Sequence, residues 1–149
     1  MITYLKNSTI LNHIIGYINL VRPFTLLAPI IVSISIMISS FYYSGQSDIY
    51  SVFWNLIIPS SFCLAILNGA SNSLNQAADI NSDLISKSYR PIPSGFVTIK
   101  EACILSILLY VLAIYISTFI NIYFTFYIIL ISFFTITYSI PPRIKIICF

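Results

Sequence analysis

The sequence predicts an all-α integral membrane protein with four transmembrane helices, preceded by an amphipathic helix lying in the membrane interface. Three observations carry this. Hydrophobic residues make up 58% of the 149 positions and charged residues only 7%, too few charges to cover a soluble fold of this size. Uncharged runs of bilayer-spanning length recur along the chain. Threading the chain through four spans then leaves all seven Lys and Arg residues on one side. A soluble globular domain is excluded. The net charge of +3 is scattered over the polar segments and forms no continuous basic stripe, so no nucleic-acid partner is expected. Cys63, Cys103 and Cys148 are too far apart for a disulfide or zinc set and are read as small apolar residues.

Residues 8–20 set Ile10, Leu11, Ile14, Ile15 and Ile18 on one helical face, with Asn12, His13 and Asn19 largely elsewhere. The segment is too polar to span, so an interfacial helix is expected, capped by Ser8 or Thr9. His13 has no second His or Cys beside it and is read as a surface residue. Arg22-Pro23 follows, then the uncharged run 24–43, with Pro23 in the first turn and Pro29 as a candidate kink. Residues 44–51 form a polar turn, and 52–71 a second span containing Pro59. Its last turns carry Asn68 and Asn72, which at that depth should face protein or a wet cavity rather than lipid.

The helix then runs on into a polar segment, 72–100. Thr98 with Glu101 reads as a capping box for the next helix. Residues 102–142 carry no charge. As one helix they would reach about 60 Å, twice the hydrocarbon thickness. The run should therefore fold back near Thr118–Asn121, giving spans of 101–119 and 122–138 before Pro141-Pro142 ends the helix. The basic residues Lys6, Arg22, Lys87, Arg90, Lys100, Arg143 and Lys145 then share one side, opposite Asp48, which puts the termini and the polar segment in the cytoplasm of a multi-pass cell-membrane protein.

Two of the four carboxylates, Asp79 and Asp83, stand four residues apart, with Asn75 four residues before them. Steps of four advance about 400° on a helix, so the three oxygens form one column. Such a column suits Mg²⁺, which takes one or two carboxylates plus the oxygens of a phosphate ligand, and Lys87 and Arg90 lie within reach of the remaining phosphate charge. A solvated helix end outside the membrane would also account for two aspartates at this spacing.

The full pattern resembles the UbiA superfamily of membrane prenyltransferases. Asn75, Asp79 and Asp83 match its first Asn-x-x-x-Asp-x-x-x-Asp motif. Arg90-Pro91-Ile92-Pro93-Ser94-Gly95 matches its Arg-Pro-x-Pro-Ser-Gly signature, and Tyr138-Ser139-Ile140-Pro141-Pro142 with Lys145 is similar to the motif after its fourth helix. The resemblance implies a half-bundle of the nine-span UbiA-type fold and transfer of an isoprenyl group from a polyprenyl diphosphate to an aromatic, porphyrin-type or glycerol phosphate acceptor. It implies Mg²⁺ held by Asn75, Asp79 and Asp83, and diphosphate held by Arg22, Lys87, Arg90 and Lys145. Tyr138 would stand near the reacting carbon. Arg22 could equally be an interfacial anchor.

The chain matches about the first half of the family pattern and lacks its second aspartate-rich motif. It is therefore expected to be inactive alone, to leave Asn68, Asn72 and Asn75 without facing helices, and to need a C-terminal half or self-association. The expected partners are an isoprenyl diphosphate, a lipophilic acceptor and the bilayer. Two other classes fit the composition: a non-catalytic subunit or fragment that binds lipid or partner helices, and a small transporter element. The uncharged run 102–142 offers the latter no relay.

Overall fold

A computed structural model describes residues 2–45 and 47–140, with side chains from Leu11 onward. Among them the chain is all-helical, and four helices are long and apolar enough to cross a membrane. Helix α1 (Ile2–Val21) is followed by α2 (Pro23–Tyr43), a short α3 (Ile49–Val52), α4 (Ile58–Ala78), a short α5 (Ile80–Ser86), α6 (Ile99–Thr118) and α7 (Ile122–Ser139).

Proline shapes two of the spans. Pro23 opens α2, and the residue before it, Arg22, leaves the right-handed region altogether at φ 57°, ψ 67°. Phe53–Ile57 forms a single π turn between α3 and α4, where the Ile58 amide reaches back to Phe53. The wider turn comes just before Pro59, whose ring would press on the carbonyl four residues back in a regular helix and which has no N–H to offer it. The expected kink at Pro59 is thus absorbed as a π turn.

The first helix departs from expectation at its start. It begins at Ile2, so Ser8 and Thr9 lie inside it rather than at its N-terminus. Its Leu11, Ile14, Ile15 and Ile18 face away from the bundle, while Gly16 and Leu20 are buried against it.

Helix α4 is the centre, packed against α1, α2, α6 and α7. Its buried face is mostly small: Ser60, Ser61, Cys63, Ala65, Gly69, Ala70, Ser73 and Ala77. Small side chains bring backbones close enough for cross-helix hydrogen bonds, the main attraction left where lipid is as apolar as protein. Ser106 donates to the Ala70 carbonyl at 2.8 Å, and the Cys63 thiol to the Ala113 carbonyl at 3.1 Å. Cys63, Leu67, Ala70, Leu74, Tyr110, Ala113 and Ile128 form the inner core.

A second cluster sits at the end of the bundle: Leu20, Ala77, Ile92, Val97 and Ala102. It pins the loop 87–98 between α1 and α6. There Gly16 lies so close that an added Cβ would stand 2.8 Å from Val97 Cγ2 and 3.0 Å from Phe96 Cβ. Gly16→Ala should lower stability by about 1–3 kcal/mol through overpacking, read as a fall in the thermal midpoint in detergent. An unchanged midpoint would mean that α1 and the loop separate freely.

The loop ends at the capping box: the Thr98 amide donates to Glu101 at 2.7 Å, and the Glu101 amide to Thr98 Oγ1 at 3.3 Å. At the far end Asn121 caps α7 by accepting from the Tyr123 amide at 2.8 Å.

Candidate diphosphate and metal site

The column Asn75, Asp79 and Asp83 survives a local break. Helix α4 stops at Ala78 and Asp79 adopts φ −95°, ψ 15°, yet the i→i−4 ladder continues through these residues. Asp79 N bonds Asn75 O at 3.0 Å, Asp83 N bonds Asp79 O at 2.9 Å, and Lys87 N bonds Asp83 O at 2.8 Å. The three side chains therefore occupy successive turns. Their environments differ. Asn75 Oδ1 is buried and accepts no hydrogen bond among the described residues. Asp79 is half-buried. Asp83 is 3% exposed, and its carboxylate is paired with the Arg90 guanidinium.

That pairing is set by the loop. Ser94 N bonds Arg90 O at 3.0 Å, while Phe96 N and Val97 N both bond Pro91 O, at 3.0 and 3.2 Å. Gly95 takes φ 78°, a conformation glycine adopts without cost. The tight turn buries Pro91 and Ile92 and aims Arg90 back at α5.

Arg90 also lines a cavity of about 310 Å³ together with Arg22, Asn19, Gln76, Tyr89 and Pro91. Two guanidiniums from residues 68 positions apart thus share one polar hollow. A second cavity, about 230 Å³ and mostly apolar, lies deeper between α2, α4 and α7, lined by Pro29, Leu64, Leu67, Asn68, Ser71, Ile131 and Thr135.

Of the residues singled out in the sequence, Arg22 and Arg90 come together; Asn75, Asp79 and Asp83 stand on successive turns with Asp83 paired to Arg90, and none of the three lines either cavity. Lys87 ends α5 but lines neither cavity. Tyr138, 48% exposed on the last turn of α7, lines neither. Lys145 lies outside the described residues. No three His, Cys, Asp or Glu side chains gather among the described residues, so a cation here would rely on the Asn75 amide oxygen as well as carboxylates.

The expectation that Asn68 and Asn72 would lack partners is overturned. Asn68 Nδ2 donates to Thr25 O at 3.0 Å, and Asn72 Nδ2 to Val21 O at 3.1 Å and to Thr25 Oγ1 at 2.9 Å. Helices α1 and α2, not a missing part of the bundle, satisfy them. Gln76, overlooked in the sequence, continues the series with Nε2 donating to Leu20 O at 2.7 Å. Its signal was present in the fourfold spacing 68, 72, 76.

This chain matches the UbiA prenyltransferase family over residues 32–146. It belongs to that family. Similar UbiA relatives are named digeranylgeranylglyceryl phosphate synthase. That of Saccharolobus solfataricus is 36% identical over 67 residues, covering 45% of this chain and 24% of the relative. That of Methanosphaera stadtmanae is 31% identical over 98 residues, covering 66% and 32%. A solved structure from work on digeranylgeranylglyceryl phosphate synthase in membranes superposes with a TM-score of 0.72 at 28% identity, over 85% of this chain and 43% of that one. The chain thus spans less than half the length of these relatives, and its four apolar helices mark it as a multi-pass integral membrane protein of the UbiA family.

Proposed function

We propose that these helices bind the diphosphate of an isoprenyl donor in a prenyl transfer to a glycerol phosphate acceptor. The observation that carries this reading is the convergence of Arg22 and Arg90 on one cavity, with Arg90 also paired to Asp83 of the Asn75–Asp79–Asp83 column. The acceptor class follows the names of the relatives.

Two guanidiniums can grip a diphosphate through paired N–H donors, and they stabilise most strongly the charge that develops as the allylic C–O bond breaks. The column fits a hard cation: Asn75 Oδ1 is a buried acceptor awaiting a donor or metal, and carboxylates follow on the next two turns. Mg²⁺ held by Asn75, Asp79 and Asp83 would neutralise part of the leaving group's charge. The mostly apolar second cavity suits the prenyl tail; the acceptor hydroxyl oxygen captures the allylic cation and loses its proton, with the diphosphate as the leaving group that can take it. Tyr138 would face the reacting carbon, with Lys87 and Lys145 adding phosphate charge.

Inorganic pyrophosphate titrated into the purified chain should bind in competition with geranylgeranyl diphosphate, and Arg90→Lys should weaken both by about tenfold, since lysine offers only a point charge. Equal binding by the Arg90→Lys and parent chains would remove Arg90 from the site.

The one-sided basic residues orient the site toward the cytoplasm. Reporters inserted at Asp48 and Asn121 should read external, and one at Ser88 cytoplasmic. Asp48 and Ser88 reading the same side would defeat the four-span topology.

A further inference from the structure

We propose that Asn68, Asn72 and Gln76 act as positioning residues that hold the α1–α2 break open so that Arg22 faces the phosphate cavity. This rests on the diphosphate reading above.

A break between two helices strands backbone carbonyls, and here two prolines deepen the deficit. Pro29 has no N–H to return to Thr25 O, and Pro23 none to return to Asn19 O. Thr25 N and Thr25 Oγ1 both turn instead to Arg22 O, at 2.9 and 2.8 Å. Three further carbonyls at the break are Leu20 O, Val21 O and Thr25 O. Each is met by one amide of α4, from Gln76, Asn72 and Asn68 in that order. The side chains stand at steps of four on one face, so a single rigid helix reads the whole break.

Among the described residues Arg22 is the one non-glycine with positive φ. Such a backbone persists only where its surroundings over-determine it. The amides supply that constraint on both sides of Arg22, at Leu20 and Val21 before it and at Thr25 after it. Gln76 is buried and also lines the same cavity as the Arg22 side chain. The residue that fixes the backbone thus sits beside the group it positions. Ordinary packing would ask only for apolar side chains here. Three amides matched to three stranded carbonyls specify one geometry of the break.

The test uses the purified chain in nanodiscs, with inorganic pyrophosphate as the probe. Arg22→Ala should weaken pyrophosphate binding by about tenfold. Gln76→Leu and Gln76→Glu, which both lose the donor, should each weaken it several-fold, with helix content unchanged by circular dichroism. Combined with Arg22→Ala, either should add nothing further, because it acts through Arg22. Losses that add in full, or binding unaffected at Gln76, overturn the proposal.

A second measurement needs no ligand. Spin labels at Leu11 and Ile36, exposed on α1 and α2, report the break directly in a chain whose cysteines are replaced by serine. The parent should give one narrow distance distribution, and the Gln76 and Asn72→Leu variants a shifted or broader one. Identical distributions overturn the positioning role whatever pyrophosphate does. A parent chain that ignores pyrophosphate overturns the diphosphate reading instead, and the distance measurement then decides the role of the amides by itself.

Discussion

Asp83→Asn should abolish prenyl transfer and also destabilise the fold, whereas Asp79→Asn should abolish transfer with little change in stability. The two carboxylates sit one turn apart and differ in surroundings. Asp83 is 3% exposed and compensates Arg90, whose side chain is 15% exposed. Neutralising one member of a buried pair leaves the other charge without compensation, at a cost of about 3–5 kcal/mol. The cavity beside Arg90 admits water, which holds the loss to the lower end of that range. Asp79 is half-buried at the junction of α4 and α5, so its neutral amide changes mainly the affinity for a cation. Replacing both partners, as Asp83→Leu with Arg90→Met, should recover much of the lost stability while activity stays absent. Thermal midpoints and transfer rates of the variants, each in the chain paired with a second half as described below, separate the two roles. Near-normal turnover by either asparagine variant would show that its carboxylate is not a metal ligand. An unchanged midpoint in Asp83→Asn would show that the pair with Arg90 does not support the fold.

The four spans were legible because membrane burial leaves a coarse signal, uncharged length, which needs no knowledge of partners. The capping box at Thr98 and Glu101 was legible for a similar reason, since both halves lie within four residues. The start of α1 was not, because Ser8 and Thr9 offered the nearest local cap signal while the helix begins at Ile2. Pro59 announced a disturbance but not its form, and the π turn emerges from fitting the helix around it. At the site, spacing placed Asn75, Asp79 and Asp83 on one face. It could not say that Asp83 would turn to Arg90, because that contact depends on how the loop after α5 folds back. The amides of α4 were recognised as needing company. Their partners are main-chain carbonyls some fifty residues earlier, and carbonyls carry no sequence signature. Proline four residues after Thr25 was the nearest available hint.

A polypeptide of these 149 residues should give no detectable transfer alone, and should gain activity when co-expressed with the second half of a close UbiA relative. The reason lies in what faces the site. Among the described residues Asn75 Oδ1 stays without a partner even after α1 and α2 have satisfied Asn68, Asn72 and Gln76. A buried acceptor in that state costs free energy until a donor or cation meets it. Among the described residues the column supplies two carboxylates, Asp79 and Asp83, and one of them already serves Arg90. Binding a diphosphate needs only part of the site, but neutralising its charge as the C–O bond breaks calls for more cation ligands than this set supplies, which the family pattern provides in a second aspartate column. The chain also aligns with 43% of the solved structure, so the superposition leaves room for facing helices. Membrane helices inserted as separate pieces can assemble through packing and interhelical hydrogen bonds, which makes complementation a feasible assay. The readout is Mg²⁺-dependent transfer from geranylgeranyl diphosphate to a glycerol phosphate lipid, with Asp79→Asn as the control that should silence the reconstituted pair. Robust transfer by the 149-residue chain alone would defeat this expectation. It would mean that one aspartate column suffices, or that two copies of the chain build the site between them.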